Sequence, residues 1–232
     1  GIKKPLVSYY EHNLRQRGEQ ILARLKAGES CALCTDAGMP AISDPGCDIV
    51  RLCHEAGVPV AAVPGPSAVT TALALSGLDT GRFVFDGFLS TSRKIRFEHL
   101  AALKNEPRTI VLYEAPHKLR RTLDDLFEAL GERQIALCRE MTKLHEEVLR
   151  TTLSAAIAHF AQTEPRGEFV LVLEGAAPAL QQEPCGRDVE QALRQALDEG
   201  LTGRDAVKRV SEQCRLPKNQ VYACYTSLIE TD

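Results

Sequence analysis

At 232 residues, 44% hydrophobic and 25% charged, with 16 Gly and 12 Pro, the chain has the make-up of an ordinary globular protein. It is long enough to bury one large core or two smaller ones, and its composition excludes disorder, collagen-like repeats and fibres. A formal charge of −3 argues against a broad basic surface that coats nucleic acid, while leaving room for a local basic patch.

Eight cysteines are spread through apolar runs (Cys31, Cys34, Cys53, Cys138) and loops (Cys47, Cys185) without framework spacing, which favours a reducing, cytoplasmic setting. No apolar run approaches the length that spans a bilayer, and no signal or lipidation motif stands out, so no membrane partner is expected. The chain opens on Gly1 rather than Met, and an amino-terminal piece is expected to be missing.

Helical and extended patterns take turns along the chain, the signature of α/β layers. Asn13 opens a helix carrying Leu14, Ile21, Leu22 and Leu25, and Gly28 closes it. The run 31–34 reads as a strand. Asp44 followed by Pro45 reads as an N-cap and first-turn proline of a helix through Ile49, Val50 and Cys53 that Gly57 ends. Residues 58–63 form the next expected strand, Ser67 caps a helix to about Ser76, and 82–88 is extended and aromatic.

The polar loop 90–94 reads as a boundary, followed by a second series: a helix over 95–104, a strand over 109–113 and a helix after Pro116 that Gly131 ends. Strands over 134–138 and 147–151, a helix over 155–160 and a strongly apolar strand over 169–174 complete it. A linker over 176–186 leads to three helices, from Arg187, after Thr202 and after Pro217.

Several chemistries are excluded by inspection. There is no Gly-x-Gly-x-x-Gly and no phosphate-binding P-loop. Gly65-Pro66-Ser67 lacks the closing glycine of a nucleophile elbow, and no histidine or cysteine pair follows at zinc spacing, so no metal site is expected. What stands out is a set of loops rich in Gly, Pro and Asp, each where an apolar strand ends, the place where open α/β sheets bind ligands. They are Thr35-Asp36-Ala37-Gly38-Met39-Pro40 with Asp44-Pro45-Gly46, then Pro64-Gly65-Pro66-Ser67-Ala68, then Tyr113-Glu114-Ala115-Pro116-His117-Lys118. Arg139-Glu140-Met141-Thr142-Lys143 with His145-Glu146 follows. Taken singly, each has a plain alternative: a helix cap at Asp44, a rigid turn at Pro64, a buried tyrosine and a capping glutamate at 113–114, a solvated charged edge at 139–146.

As an ordered set, together with Arg-Gly-Glu-Phe-Val-Leu-Val-Leu-Glu-Gly at 166–175, these motifs resemble the tetrapyrrole (corrin/porphyrin) methylase superfamily. Within it they resemble the branch that methylates small-subunit ribosomal RNA, the 16S rRNA (cytidine-2'-O)-methyltransferases. The Asp-Ala-Gly-x-Pro loop followed by Asp-Pro-Gly points to the RNA branch rather than to the corrin methylases. Two departures stand beside it: the family's opening strand and Gly-Thr-Pro-Ile-Gly-Asn-Leu loop are not in this sequence, and Arg150 stands where relatives often have glycine.

The resemblance implies an α/β fold of two α/β domains with the cofactor cleft between them, plus a small helical C-terminal domain: a partial first domain over 1–89, a second over 90–176 and the helical domain over 187–232. It also implies a homodimer that uses S-adenosylmethionine, with 16S rRNA within the small ribosomal subunit as partner. Carried over by position, Thr35 and Asp36 with Ser67 and Ala68 would meet the methionine moiety, and Ala37, Gly38, Pro64 and Gly65 would also bind the cofactor. Tyr113, Glu114 and the neighbourhood of Arg150 would meet the adenine, with Asp36 or Asp44 balancing the sulfonium.

A ribose hydroxyl is a poor nucleophile until its proton leaves, so a base is expected, with Glu140 and Glu146 the candidates and Lys143 or Arg139 orienting a carboxylate or phosphate. For RNA docking the candidates are Arg93, Lys94 and Arg96, then Lys118, Arg120 and Arg121. They also include Lys208 and Arg209 within the stretch 201–229, which carries five basic residues against two acidic ones, with Tyr222 and Tyr225. The alternatives are a small-molecule tetrapyrrole methylase and a non-catalytic ribosome-binding remnant.

Overall fold

The computed structural model describes residues 3–177 and 186–230. Contacts divide the chain into two compact units, Gly1–Gly175 and Ala176–Asp232. The expected linker therefore lies, over 178–185, outside the described residues, as does Cys185.

The first unit opens with α1 (Leu14–Lys26) and α2 (Cys47–Glu55), which cross where Gly18 is buried. A Cβ at Gly18 would stand 3.2 Å from Leu52 Cδ1, so the bare glycine sets how closely the two helices approach. Asn13 precedes α1 as expected but does not cap it. Its Oδ1 accepts from the Tyr10 N–H at 2.9 Å and its Nδ2 donates to the Ser8 carbonyl at 3.1 Å, so it ties down the entering chain instead. The helix expected to start at Asp44 starts at Cys47, with Gly46 at the N-cap, because the Asp44 carboxylate is taken by the Thr35 hydroxyl at 3.0 Å.

Next come α3 (Ala68–Ser76), β1 (Phe83–Phe88), α4 (Arg93–Leu103), β2 (Thr109–Glu114), α5 (Pro116–Leu130), β3 (Gln134–Arg139), β4 (Glu147–Thr152), α6 (Leu153–Gln162) and β5 (Phe169–Leu173). The five strands form one sheet in the order β1-β2-β5-β3-β4. β1 and β2 are parallel, and β5 runs antiparallel to both β2 and β3, so β1, β2 and β3 all end at the same edge.

Alternation along β5 explains the two cores. Phe169, Leu171 and Leu173 face a cluster with Leu100, Leu119, Leu123, Leu126 and Leu153 from α4, α5 and α6. Val170 and Val172 face Val69, Ala72 and Leu73 of α3 on the other side. A strand covered on both faces reads as a continuous apolar run, which is why 169–173 is so legible. On α5, Leu119, Leu123, Leu126 and Leu130 recur at helical spacing, and each such buried leucine contributes about 1.5–3 kcal/mol relative to exposure.

Two expectations are corrected. Residues 31–34 and 58–63 form no strand: both stretches lie outside the sheet and are largely exposed, Val63 at 87%. A strand is a pairing of backbone groups, so an apolar run that finds no neighbour's N–H and C=O groups is only an extended segment. Nor does the sheet divide at the polar loop 90–94: β1, which precedes it, pairs along its length with β2, which follows it.

The second unit holds α7 (Gly186–Asp198), α8 (Gly203–Cys214) and α9 (Lys218–Glu230) around Val189, Leu193, Ala206, Val207, Val210, Val221 and Leu228. Thr202 caps α8 as its sequence position suggests: its Oγ1 accepts from the Asp205 N–H at 3.3 Å and donates to the Asp205 carboxylate at 2.6 Å. Among the described residues, no helix is long and apolar enough to cross a membrane.

Candidate functional site

The strand register places the candidate residues along one edge. Glu114 of β2, Phe169 of β5, Arg139 of β3 and Glu147 of β4 are successive partners in one row across the sheet, and Phe88 of β1 pairs with Tyr113 one row in. Adjacent strands stand about 4.8 Å apart, so the loops after β2 and after β3 emerge roughly 10 Å from each other.

Three of the expected loops meet on the α3 face of this edge. Gly38, at φ +76°, lies against the Pro66 carbonyl, which would be 3.6 Å from a Cβ there, and Gly65 lies against Met39, whose sulfur would be 3.4 Å from its Cβ. The loop 35–40 and the loop 64–67 are thus in contact. Tyr113 joins them from β2, its ring packed in the same cluster as Val69 in the first turn of α3 and its phenol beside the Val69 backbone. Burial holds the phenol above its usual pKa, and the nearby Asp44 carboxylate pushes it the same way, so Tyr113 presents a neutral O–H. Phe85 and Phe88 pack on its ring with centroids at 5.0 and 5.5 Å.

The loop 41–46 is wound tightly. Ala41 and Ser43 have φ of +68° and +58°, and Gly46 has φ +151° with no room for a side chain. Non-glycine residues at positive φ are uncommon, and their clustering here marks a loop whose shape is over-determined by its surroundings. Beside it is a cavity of about 220 Å³ lined by Tyr9, Tyr10, Leu33, Cys34, Thr35, Asp36, Asp44 and Pro45. Tyr9 and Tyr10 were not among the expected site residues. Their signal was present as two adjacent aromatics just before Asn13, outside every glycine-rich loop.

α3 begins without a side-chain cap: the Ser67 hydroxyl accepts from none of its first-turn N–H groups. A helix start without a side-chain cap receives an anionic group through its first-turn N–H groups, apart from that of Val69 beside the Tyr113 phenol, and through the positive end of the helix dipole. Asp36, Ala37, Gly38, Pro64, Gly65 and Ala68 are exposed, and Thr35 and Ser67 are half-buried.

Glu114 does not join this group. It lies on the opposite face of the sheet from Tyr113, 4% exposed, accepting from the Thr122 hydroxyl and from the Ala115 N–H at 2.8 Å. Period-two alternation separates neighbours on a strand, so Tyr113 and Glu114 cannot both face one ligand. Arg150 is also committed: it donates from Nε to the Leu75 carbonyl at 3.0 Å, where a cation at the C-terminal end of α3 is favourable.

After β3 the chain turns through Glu140 and Thr142, both at positive φ. Glu140 Oε1 accepts from the Glu168 N–H at 2.9 Å and from Lys143 Nζ at 3.0 Å; these two bonds, the backbone one first, hold its carboxyl below the ordinary pKa. Lys143 also reaches Glu168 at 3.0 Å and is held above its usual pKa by Glu168 and then Glu140. Glu146 Oε2 accepts from the Thr142 N–H at 2.6 Å, and Arg139 pairs with Glu147 at 3.0 Å.

Of the basic candidates in this unit, Arg93 and Lys94 are exposed at the start of α4, Arg93 lying 5.5 Å over the Phe97 ring, and Lys118 is half-buried. Arg96 is corrected: it is 4% exposed, and its guanidinium meets Asp125 at 2.5 Å and Thr122 at 2.8 Å. Arg120 is spent on the Phe160 carbonyl and Glu164, and Arg121 stands 3.7 Å from Asp125. In the second unit Lys208 and Arg209 are exposed on α8, Arg209 paired with Glu199 at 2.5 Å, and Tyr222 is 58% exposed. Among the described residues no group of His, Cys, Asp and Glu is arranged to hold a metal.

Residues 2–157 match the family model of the Tetrapyrrole (Corrin/Porphyrin) Methylases. The chain is 46% identical over 222 residues to the Ribosomal RNA small subunit methyltransferase I of Synechocystis, covering 95% of this chain and 80% of the relative. It is 40% identical over 228 residues to the protein of the same name from Bacillus subtilis, covering 97% and 78%. In fold it is similar to the uroporphyrin-III C-methyltransferase of Thermus thermophilus solved with S-adenosylhomocysteine, at TM-score 0.50 and 19% identity over 72% of this chain and 75% of that one. The chain belongs to the tetrapyrrole (corrin/porphyrin) methylases, in the branch of the small-subunit ribosomal RNA methyltransferases.

Proposed function

We propose that this protein methylates the 2'-hydroxyl of a cytidine in 16S rRNA, using S-adenosylmethionine. The observation that carries the reading is the meeting of the 35–40 loop, the 64–67 loop and Tyr113 at the strand ends, in a chain close to ribosomal RNA methyltransferases and folded like a methyltransferase solved with S-adenosylhomocysteine. The residues present suit such a cofactor. Gly38 and Gly65 keep the loop surface free of side chains, and the start of α3, with no side-chain cap, suits a carboxylate.

When bound, S-adenosylmethionine supplies a methyl group already activated by a positive sulfur. The protein's own task is therefore to orient the acceptor and take up its proton. Of the two candidate bases, Glu140 is a poor proton acceptor, since its carboxylate is already stabilised as an anion by the Glu168 N–H and Lys143. Glu146 keeps an oxygen free of the Thr142 bond, and we assign the proton-accepting role to it. Arg139 and Lys143, at the same edge, are placed to meet a phosphate of the bound strand. Arg93, Lys94, Lys118, Lys208 and Arg209 give the wider electrostatic contact. The same reading carries a homodimer working in the cytoplasm, with the cofactor held by the first unit and 187–232 as an accessory helical domain.

The test is methyl transfer from labelled S-adenosylmethionine to isolated small ribosomal subunits, with calorimetric titration of S-adenosylhomocysteine alongside. The expected product is a single nucleotide whose phosphodiester resists alkali, because its 2'-hydroxyl is blocked. Label only in alkali-sensitive positions would overturn the ribose assignment, and no binding of S-adenosylhomocysteine would favour a non-catalytic ribosome-binding protein. In this assay Glu146→Gln should lower kcat about a hundredfold or more, as expected for loss of a general base.

A further inference from the structure

We propose that Tyr10 is the stacking platform for the base of the nucleotide being methylated, and that the cavity beside it receives a base bearing an exocyclic amino group. The inference rests on the RNA methyltransferase reading and names the part of the substrate that this surface takes.

Four observations carry it. Tyr10 lines the cavity of about 220 Å³ together with Thr35, Asp36 and Asp44, yet is itself 50% exposed, so one side of the residue is open to an incoming group. Its backbone is fixed: the Tyr10 N–H donates to Asn13 Oδ1 at 2.9 Å, its carbonyl accepts from the Asn13 N–H at 2.9 Å, and Asn13 Nδ2 holds the Ser8 carbonyl. The neighbouring Tyr9 is anchored through its hydroxyl to Asp48 of α2, so the dipeptide is held from both sides. The His12 ring meets the Tyr10 ring edge-on, centroids at 6.2 Å and planes at 90°, so the face of the Tyr10 ring is not covered by it.

Size and chemistry select the occupant. Small-molecule pockets start at about 300 Å³, so this cavity is too small for a whole cofactor and suits one ring-sized group. Unstacked bases in RNA recognition are held on aromatic side chains, and an exposed tyrosine on an anchored backbone, with two side-chain torsions to fix, does this at modest entropic cost. The polar walls, Asp36 and Asp44, are carboxylates that accept hydrogen bonds and donate none. They repel phosphate and suit the amino group of cytosine over the carbonyl that uracil presents at the same position. A base bound there keeps its ribose at the mouth of the cavity, next to the Thr35–Asp36 side of the cofactor loops.

The test uses the full chain and fluorescence anisotropy with a labelled single-stranded oligoribonucleotide containing one cytidine among uridines, with an all-uridine strand for comparison. Tyr10→Ala should weaken binding of the cytidine strand about tenfold to a hundredfold, the usual loss of one base–aromatic stack, while Tyr10→Phe binds within about twofold of wild type. Affinity for S-adenosylhomocysteine and the thermal midpoint should be unchanged in both variants. Equal affinity of Tyr10→Ala and wild type for the cytidine strand would overturn the proposal. So would loss of S-adenosylhomocysteine binding in Tyr10→Ala, which would assign the ring to the cofactor, and so would equal wild-type affinity for the two strands. Because these readouts are binding measurements, they report on Tyr10 whether or not the wild-type protein transfers a methyl group.

Discussion

The guanidinium of Arg96 meets the Asp125 carboxylate at 2.5 Å between α4 and α5, with 4% and 13% of the two side chains exposed. A second nitrogen reaches the Thr122 hydroxyl, which in turn donates to Glu114. A charge buried this deeply is stable only while its partners are present, so Arg96→Ala should cost about 3–5 kcal/mol of folding stability. Charge reversal of the exposed Arg93 and Lys94, three and two residues earlier, should cost almost none. Urea unfolding of the two variants tests this, and equal midpoints would remove the distinction.

Gly46 tests the tight loop beside the cavity. A Cβ there would stand 2.8 Å from Leu33 Cδ2 and 2.9 Å from the Ala41 Cβ, at a φ of +151° that side chains rarely adopt. Gly46→Ala should lose about 1–3 kcal/mol and weaken S-adenosylhomocysteine binding through the displaced loop. Gly57, also at positive φ but with open space around it, is the matched comparison, and Gly57→Ala should leave cofactor affinity at the wild-type value.

The cysteines should sort by burial. Cys31, Cys34 and Cys47 are exposed, whereas Cys53 and Cys138 are buried, and burial raises the Cys138 thiol from 9.0 to about 11. A raised thiol pKa favours the fold while both states are protonated; that advantage declines as pH rises past the unfolded value toward the folded one. At neutral pH a thiol reagent should label the three exposed cysteines quickly and Cys138 only on unfolding, which peptide mass mapping would reveal. Rapid native labelling of Cys138 would contradict the packing of β3 against α3.

Glu140 predicts an acid-side effect. Its carboxyl lies below the ordinary 4.5 because the Glu168 N–H and Lys143 favour its anion, so its contribution is present above that value and is lost as pH falls through the folded pKa. Glu140→Gln should flatten the stability profile on that side. Thermal midpoints from pH 3 to pH 7, measured in both proteins, show whether the profiles converge as the carboxyl protonates.

Lys208 and Arg209 address RNA binding by the helical unit. Reversing both should weaken binding to small ribosomal subunits and reduce the salt slope by about 0.7–0.9 for each phosphate that is no longer neutralised, with cofactor affinity unchanged. Arg209 is already paired with Glu199, so Lys208 should carry the larger share. An unaltered slope would assign both residues to the solvent.

Much of this protein is legible from the chain alone, for reasons that lie in local chemistry. The apolar run 169–173, the helix after Pro116 that Gly131 ends and the helix after Thr202 depend on neighbours in sequence, and each lies where its pattern placed it. The ordered loop motifs likewise marked the family, because a fixed succession of glycine, proline and aspartate positions is contained in the sequence itself. What depends on distant partners was decided only in three dimensions. Residues 31–34 and 58–63 have the composition of strands but no ladder to join. Arg96 has the sequence context of a surface cation but is claimed by Asp125, twenty-nine residues away. Tyr113 and Glu114, adjacent in the chain, are turned to opposite faces by the sheet's period of two. Tyr9 and Tyr10, outside every recognisable motif, line the cavity in a segment before α1 that the Tyr9 hydroxyl ties to Asp48 of α2. Pairing, burial and facing are properties of contacts between remote residues, and no window along the sequence contains both partners.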